Sequence, residues 1–316
     1  MPSTVYDVIV IGGGPAGLTA GIYSTRAGLK TLLLEASVPG GQVSKTSLIE
    51  NYPGFPKGVD GFTLIEKMVE QVKKFGVEMI IEEVEKIRKS DFQKILQNSG
   101  KSDFRLVKTS KQEYPTKAVI IATGSKFKEL GVPGEIEMIG KGVSYCAVCD
   151  GPLFRNRVVA VVGGGDSALT EAIYLSKLAK KVYLIHRRDQ FRAARSIQDK
   201  VLAKKNIGVL FNTIVKEIKG QLKIEKVTIS NQTSNKDNEL KLDGLFIYVG
   251  AIPNTEFLKG LLNLDEEGYI ITNENLETNV PGIFAAGDVR KKTLRQISTA
   301  VGDGALAAIM AERYLI

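Results

Sequence analysis

Two glycine-rich turns, 151 positions apart, constrain this chain more than anything else in it. Gly12-Gly13-Gly14-Pro15-Ala16-Gly17 follows the apolar run Tyr6 to Ile11, and Gly163-Gly164-Gly165-Asp166-Ser167-Ala168 follows Val158 to Val162. Each turn opens a stretch with helical apolar spacing: Leu18, Ile22 and Tyr23 on to Ala27 in the first copy, Leu169, Ile173 and Leu175 in the second. A second apolar run comes next, Thr31 to Leu34 ending in Glu35, and Val182 to Ile185 ending in His186. Strand, tight turn, helix, strand is the unit that binds dinucleotides. Gly12 makes the turn, Gly14 lets a pyrophosphate approach the backbone, and Gly17 lets helix pack on strand. The phosphates then rest on the free N–H groups of a helix start.

The copies are in register, so their differences carry information. Gly17 becomes Ala168, and Glu35 becomes His186, followed by Arg187, Arg188 and Arg192. A carboxylate at that position accepts a hydrogen bond from a ribose 2′-OH and repels a 2′-phosphate, whereas guanidinium groups grip one. The first turn, with Gly13, Pro15 and Ala16, therefore suits FAD or NAD. The second, with Gly163, Gly165, Asp166, Ser167 and the basic group, suits NADPH.

Just ahead of the second copy stand the only two cysteines, in Cys146-Ala147-Val148-Cys149-Asp150-Gly151. A disulfide closing so short a loop stabilises a fold by only about 2 kcal/mol in the chain-entropy model, so this pair reads as an exchange couple rather than a staple. Two other readings stand beside it. A zinc site would need two more ligands from a chain with a single His, and the thiols could be reduced bystanders. No metal is expected. The carboxylate of Asp150 is placed to carry a proton for the thiols, provided burial raises its pKa.

With 316 residues and 43% apolar content, two domains can each bury a core. The first residues lack a basic n-region, and the apolar run behind them stops at Gly12, so a strand is expected rather than a signal peptide. No run is long enough to cross a bilayer, so no membrane is expected as a partner. Two cysteines without an export signal fit a reducing cytoplasm. The net charge of +8 is spread among acidic residues with no nucleic-acid motif, which argues against nucleic acid and leaves a basic face for an acidic protein partner.

Around the two copies, residues 57–84 read as a helix (Phe62, Ile65, Met68, Val69, Val72) and a strand, and 86–117 as antiparallel strands and turns. Ala118 to Ala122 is a strand ending in Thr123-Gly124, and 126–133 a connection. Residues 209–242 form a second meander and Leu245 to Val249 a strand, followed by Gly250 and Pro253. The buried run Gly282 to Ala286 ends in Gly287-Asp288, and a last helix spans about Ile297 to Leu315. The expected fold is α/β: two Rossmann-like, three-layer domains of parallel sheet plus antiparallel meander, the second inserted in the first. The domains are 1–125 with 253–316, and 126–252.

The motif set resembles the low-molecular-weight, bacterial-type thioredoxin reductases over nearly the whole chain. The resemblance is carried by Gly12 to Gly17, Gly40-Gly41-Gln42, Glu50-Asn51-Tyr52-Pro53-Gly54, Ala122-Thr123-Gly124 and Cys146 to Gly151. It continues through Gly163 to Ala168, His186-Arg187-Arg188 with Arg192, Gly287-Asp288 and Arg295-Gln296-Ile297. Ser298 and Val301 depart from the commoner Thr and Ala of that last motif. The resemblance implies FAD on the first and last segments, including Gly41, Gln42, Asn51, Ala122 to Gly124 and Arg295 to Ile297. It further implies NADPH on the insertion, a homodimer, and thioredoxin as the disulfide substrate, with Cys149 toward the flavin and Cys146 attacking the partner. In such enzymes one domain rotates against the other, with hinges here near Lys126 and Gly250. Competing readings are a flavin reductase of the same fold serving ferredoxin or a peroxiredoxin, and a non-catalytic flavin redox sensor.

Overall fold

The computed structural model describes residues 4–46, 49, 51–89 and 104–316. Glu50, with the part of the first meander at 90–103, lies outside the described residues. The chain divides into two compact units, Met1–Lys126 with Ile252–Ile316, and Phe127–Ala251.

The first unit opens with β1 (Tyr6–Ile11), α1 (Pro15–Arg26), β2 (Thr31–Glu35), α2 (Gly61–Lys74) and β3 (Glu78–Ile81). It continues with β4 (Val84–Lys89), β5 (Arg105–Thr109) and β6 (Glu113–Ile121). Helix α2 starts at Gly61, one residue ahead of the apolar pattern that opens at Phe62, where Asp60 caps it by accepting from the Thr63 N–H at 2.9 Å. After the crossing strand β7 (Ser125–Phe127), the second unit runs β8 (Val143–Ser144), α3 (Ala147–Asp150), β9 (Val158–Val162), α4 (Asp166–Ser176) and β10 (Lys181–Ile185). It goes on through α5 (Arg195–Leu202), β11 (Ile207–Leu210), β12 (Thr213–Gly220), β13 (Ile224–Asn231), β14 (Lys236–Lys241) and β15 (Gly244–Ile247). The chain returns through β16 (Ala251–Pro253) to β17 (Ile283–Ala285) and α6 (Ile297–Leu315).

In the first unit β3, β2, β1, β6 and β17 lie side by side and parallel, with Ile9 opposite Leu32 on one flank and Val119 on the other. Strand β6 serves twice. Its second half sits in this parallel sheet, while its first half pairs antiparallel with β5, and β5 with β4. Successive side chains of a strand point to opposite faces, and the core splits accordingly. Val8, Val10, Leu33, Ile120 and Phe284 face α1, α2 and α6. Ile9, Ile11, Leu32, Leu34 and Val119 face the meander residues Val84, Ile87 and Val107, together with Leu258 and Ile270. All of these strand residues are almost inaccessible to water, so truncating one to Ala should destabilise by about 2–5 kcal/mol.

The second unit repeats the plan. Strands β11, β10, β9, β15 and β8 form a parallel sheet, and β12 to β14 an antiparallel meander. Val159, Val161, Val182 and Leu184 pack on the helices, whereas Ala160, Val162, Ile185 and Leu245 pack on Val215, Ile218 and Val227 of the meander.

Candidate redox and nucleotide sites

Cys146 and Cys149 are joined as a disulfide, their Cα atoms 5.3 Å apart. Cys146 is the N-cap of the one-turn helix α3, and its Sγ accepts the Cys149 N–H at 3.2 Å. Its own N–H goes to Ser144 Oγ at 3.0 Å, and its carbonyl accepts the Asp150 N–H at 3.1 Å. The sulfurs therefore sit at a helix start, where N–H groups stabilise a thiolate. Burial pushes the Asp150 carboxyl up, against a lowering hydrogen bond from Ser144. A carboxyl raised this way is suited to holding a proton beside the dithiol. Val148, between the cysteines, is exposed.

The first glycine turn is built as the spacing requires at two positions. Gly12 has φ +108°, and a Cβ there would strike the Ala122 carbonyl. A Cβ on Gly17 would strike the carbonyl of Gly12. Gly14 is different: nothing lies within 4 Å of its would-be Cβ, and it starts α1 without a side-chain cap. Open space at an uncapped helix start fits a pyrophosphate. Pro15 and Ala16 are buried in the first turn of α1. Glu35, at the tip of β2, accepts the Gly13 N–H at 2.6 Å and the Ser37 N–H at 3.0 Å. It thus clamps the turn, a role the spacing did not reveal, and each oxygen retains a second lone pair for a ribose hydroxyl.

Distant segments converge around that turn. Asn51 Nδ2 donates to Gln296 Oε1 at 3.0 Å across 245 residues of chain. Gln296 caps α6 ahead of Ile297, in a reciprocal box with Thr299. Gly41 has φ +56°, and Gln42 Nε2 reaches Ser125 O at 3.4 Å. Thr123 and Asn254 exchange hydrogen bonds at 2.8 and 2.7 Å, and Gly124 O accepts the Asn254 N–H at 3.0 Å. At Gly287, φ +79°, a Cβ would press on Ala16. Asp288 Oδ1 is buried without a hydrogen-bond partner, although the side chain as a whole is 36% exposed. Burial holds the Asp288 carboxyl above its ordinary range, with Lys292 and Arg295 opposing. Arg295 lies 4.0 Å over the Tyr269 ring, its Nε also buried and unpartnered. Two such buried atoms without a hydrogen-bond partner, although Lys292 Nζ stands 4.0 Å from Asp288 Oδ1, are what a bound polyhydroxylated cofactor would satisfy.

The second turn repeats the first in altered chemistry. Gly163, φ +152°, faces the Tyr248 carbonyl as Gly12 faces that of Ala122. Gly165 is open like Gly14, except that the Arg192 guanidinium stands 4.0 Å from its would-be Cβ. Arg187, Arg188 and Arg192 are exposed at the tip of β10, and Ser167 is exposed at the start of α4. Asp166 Oδ1 accepts the Ala194 N–H at 2.7 Å, and Gly164 O accepts the Arg192 N–H at 2.8 Å, so turn and arginine loop are tied together. His186 is placed apart from the arginines. Its side chain is buried under Gly164, with Nε2 3.0 Å from Gln190 O and the ring against Phe191. Burial lowers its pKa, helped by the charges of Arg188, Arg192 and Arg187, so the ring supports the turn as a neutral group.

Three site features escape the sequence patterns. Tyr248 accepts the Ala147 N–H at 2.5 Å, Tyr145 donates to Glu135, and Asp303 holds the loop that carries Asp288. Only Tyr248 had a signal: it follows β15, the strand that flanks the second unit's first strand β9, as Ala122 follows β6 beside β1 in the first.

The pyridine nucleotide-disulphide oxidoreductase family profile matches residues 6–304. A thioredoxin reductase of Bacillus subtilis (strain 168) is 46% identical over 312 residues, covering 98% of this chain and 95% of that protein. The crystal structure of thioredoxin reductase from Streptococcus pyogenes MGAS5005 is 47% identical, covers 98% of each chain and gives a TM-score of 0.90. Thioredoxin reductase from Giardia duodenalis is 38% identical, covers 99% of each chain and also gives 0.90.

Proposed function

The chain belongs to the pyridine nucleotide-disulphide oxidoreductase family, and on that premise we propose that it is an NADPH-dependent thioredoxin-disulfide reductase. The observation that carries the reading is the Cys146–Cys149 disulfide at a helix N-terminus, next to the half-buried carboxyl of Asp150, which desolvation raises above its ordinary pKa. Bound FAD and NADPH supply the two-electron chemistry. The uncapped start of α1, Glu35, Asp288 and Arg295 would hold the FAD. The exposed Arg187, Arg188 and Arg192 beside open Gly165 would hold the 2′-phosphate of NADPH.

The chain's own part is thiol chemistry. Two electrons and two protons convert the Cys146–Cys149 disulfide to a dithiol. The Cys146 thiolate attacks the thioredoxin disulfide, forming a mixed disulfide and releasing one partner thiolate. Cys149 then attacks Cys146 Sγ, which closes the ring and frees the second partner thiol. Asp150 holds the proton that Cys149 must give up or regain. The reading includes a homodimer and a cytoplasmic location. No helix of the described residues is long and apolar enough to cross a membrane.

The test is a coupled assay. The purified yellow protein should oxidise NADPH when thioredoxin disulfide is added, with one thioredoxin disulfide reduced per NADPH. NADPH oxidation that ignores thioredoxin but responds to another acceptor would overturn the proposal.

A further inference from the structure

The redox segment is fastened to the second unit by two tyrosine hydroxyls that the thiol chemistry does not itself use. Tyr145, immediately before Cys146, donates to Glu135 Oε1 at 2.7 Å. Glu135 is completely buried, and its carboxylate also accepts the N–H groups of Leu130 at 2.9 Å, Gly131 at 2.8 Å and Val132 at 3.4 Å. Gly131, at φ +74°, lets that loop curl around the carboxylate. The Tyr145 ring stacks on Phe127, centroids 5.2 Å apart with the ring planes nearly parallel. Burial, then the bond to Glu135, pushes the Tyr145 phenol up, so it remains a donor.

Immediately after Cys146 comes the second fastening. Ala147 is fully buried, and its N–H goes to the Tyr248 hydroxyl at 2.5 Å. Tyr248 is itself half-buried and held protonated, by desolvation first and then by the charges of Glu171 and Asp150. With Ser144 holding the Cys146 N–H, three consecutive residues are pinned from three different strands or loops. Cys149 is held differently, its N–H bonded to the sulfur of Cys146 and not to the surrounding fold.

We infer that Tyr248 and the Tyr145–Glu135 pair are positioning residues that set the reducing strength of the Cys146–Cys149 couple. Two thiols on a backbone already held in the ring geometry lose little freedom on closing, so each sees the other at high effective concentration. That favours the disulfide and makes the dithiol a stronger reductant. Loosening the Cys146 end lowers the effective concentration and shifts the couple toward the dithiol.

This inference rests on reading the cysteines as an exchange couple, and its test needs no thioredoxin. The holoenzyme is equilibrated with mixtures of reduced and oxidised dithiothreitol. Two thiols of the reagent become its cyclic disulfide as the protein disulfide becomes a dithiol, and alkylation followed by mass measurement reads the ratio. Tyr248→Phe and Tyr145→Phe each remove one hydrogen bond, and each should shift the ratio toward dithiol by roughly three- to tenfold. A tenfold shift is about 30 mV for a two-electron couple. Glu135→Gln keeps one acceptor oxygen, for the Gly131 and Val132 N–H groups, but puts a donor NH2 where Oε1 received Leu130 and Tyr145, so it should move the ratio in the same direction. A purely structural role would lower the melting temperature of the variants and leave the ratio alone. Ratios within twofold of wild type in folded, flavin-loaded Tyr145→Phe, the mildest change, would overturn the inference, as would a shift toward disulfide. A wild-type protein whose cysteines never equilibrate would instead sink the exchange reading beneath it.

Discussion

Arg290 and Asp303 meet in a two-point ion pair, Nε to Oδ2 at 2.8 Å and one terminal nitrogen to Oδ1 at 3.1 Å. The same carboxylate accepts the Gly287 N–H at 3.0 Å and the ammonium of Lys292, a side chain only 6% exposed, at 2.9 Å. Asp303 lies on α6, so one helical residue fixes both ends of the loop that presents Asp288.

Asp303→Asn should therefore leave Lys292 as a poorly paired, buried cation and destabilise the protein by about 3 kcal/mol. Urea unfolding of the flavin-free protein would measure it, and FAD should also dissociate faster. Burial alone would raise Asp303, but the bonds from Arg290 and Lys292 outweigh it and hold the carboxyl below its ordinary value. A depressed folded pKa gives stability that is present above the unfolded value, near 3.9, and lost as pH falls through the folded one. Wild type and variant should thus converge in stability below about pH 4. A stability gap that persists unchanged into strong acid would contradict this.

Gly14→Ala tests the phosphate cradle against simple packing. Because nothing stands within 4 Å of the new methyl group, the flavin-free protein should unfold at nearly the wild-type urea concentration. FAD affinity should fall at least about tenfold, since the methyl enters the space where a pyrophosphate must approach the backbone. Gly12→Ala, by contrast, strains a φ of +108° against the Ala122 carbonyl and should damage folding itself.

Cys146→Ser and Cys149→Ser should each abolish thioredoxin reduction while leaving reduction of the flavin by NADPH intact. The variant that retains Cys149 should show a long-wavelength thiolate–flavin absorbance band. Finding the band only in the variant that retains Cys146 would reverse the roles of the two sulfurs.

Asp150→Asn keeps the shape and removes the proton carrier, so reoxidation by thioredoxin should slow by about 10²–10⁴-fold. Burial raises the Asp150 pKa, so its contribution to stability is present at low pH and is lost as pH rises through the folded value. The Asn variant should accordingly be no less stable than wild type at neutral pH, which thermal unfolding would check. Unchanged reoxidation would mean that water carries the proton.

Arg187→Ala should raise the KM for NADPH by roughly ten- to a hundredfold and leave NADH kinetics almost untouched, because a hydrogen bond to a charged group is worth about 1.5–3 kcal/mol. The side chain is exposed, so the preference should shrink as salt rises. Equal losses with both cofactors would mean that the arginine shapes its loop.

The sequence by itself determined what local spacing encodes. A strand, three glycines and a helix start must fold together within some twenty residues, so both turns, the acid or arginines beyond them and the paired cysteines were legible without tertiary information. The alternation of Val8 and Val10 against Ile9 and Ile11 likewise announced a strand covered on both faces. Only the tertiary structure decided which groups meet across the chain. Glu35 spends its carboxylate on Gly13 and Ser37, and His186 slides beneath Gly164 because its neighbour in space is a turn 22 residues earlier. Ala147 finds Tyr248 only because β15 lies beside β8, and Asp303 finds Arg290 only because α6 packs back on the loop. A buried N–H or carboxylate must have a partner, but the residue that supplies it is fixed by the order of strands in the sheet, which spacing along the chain does not specify.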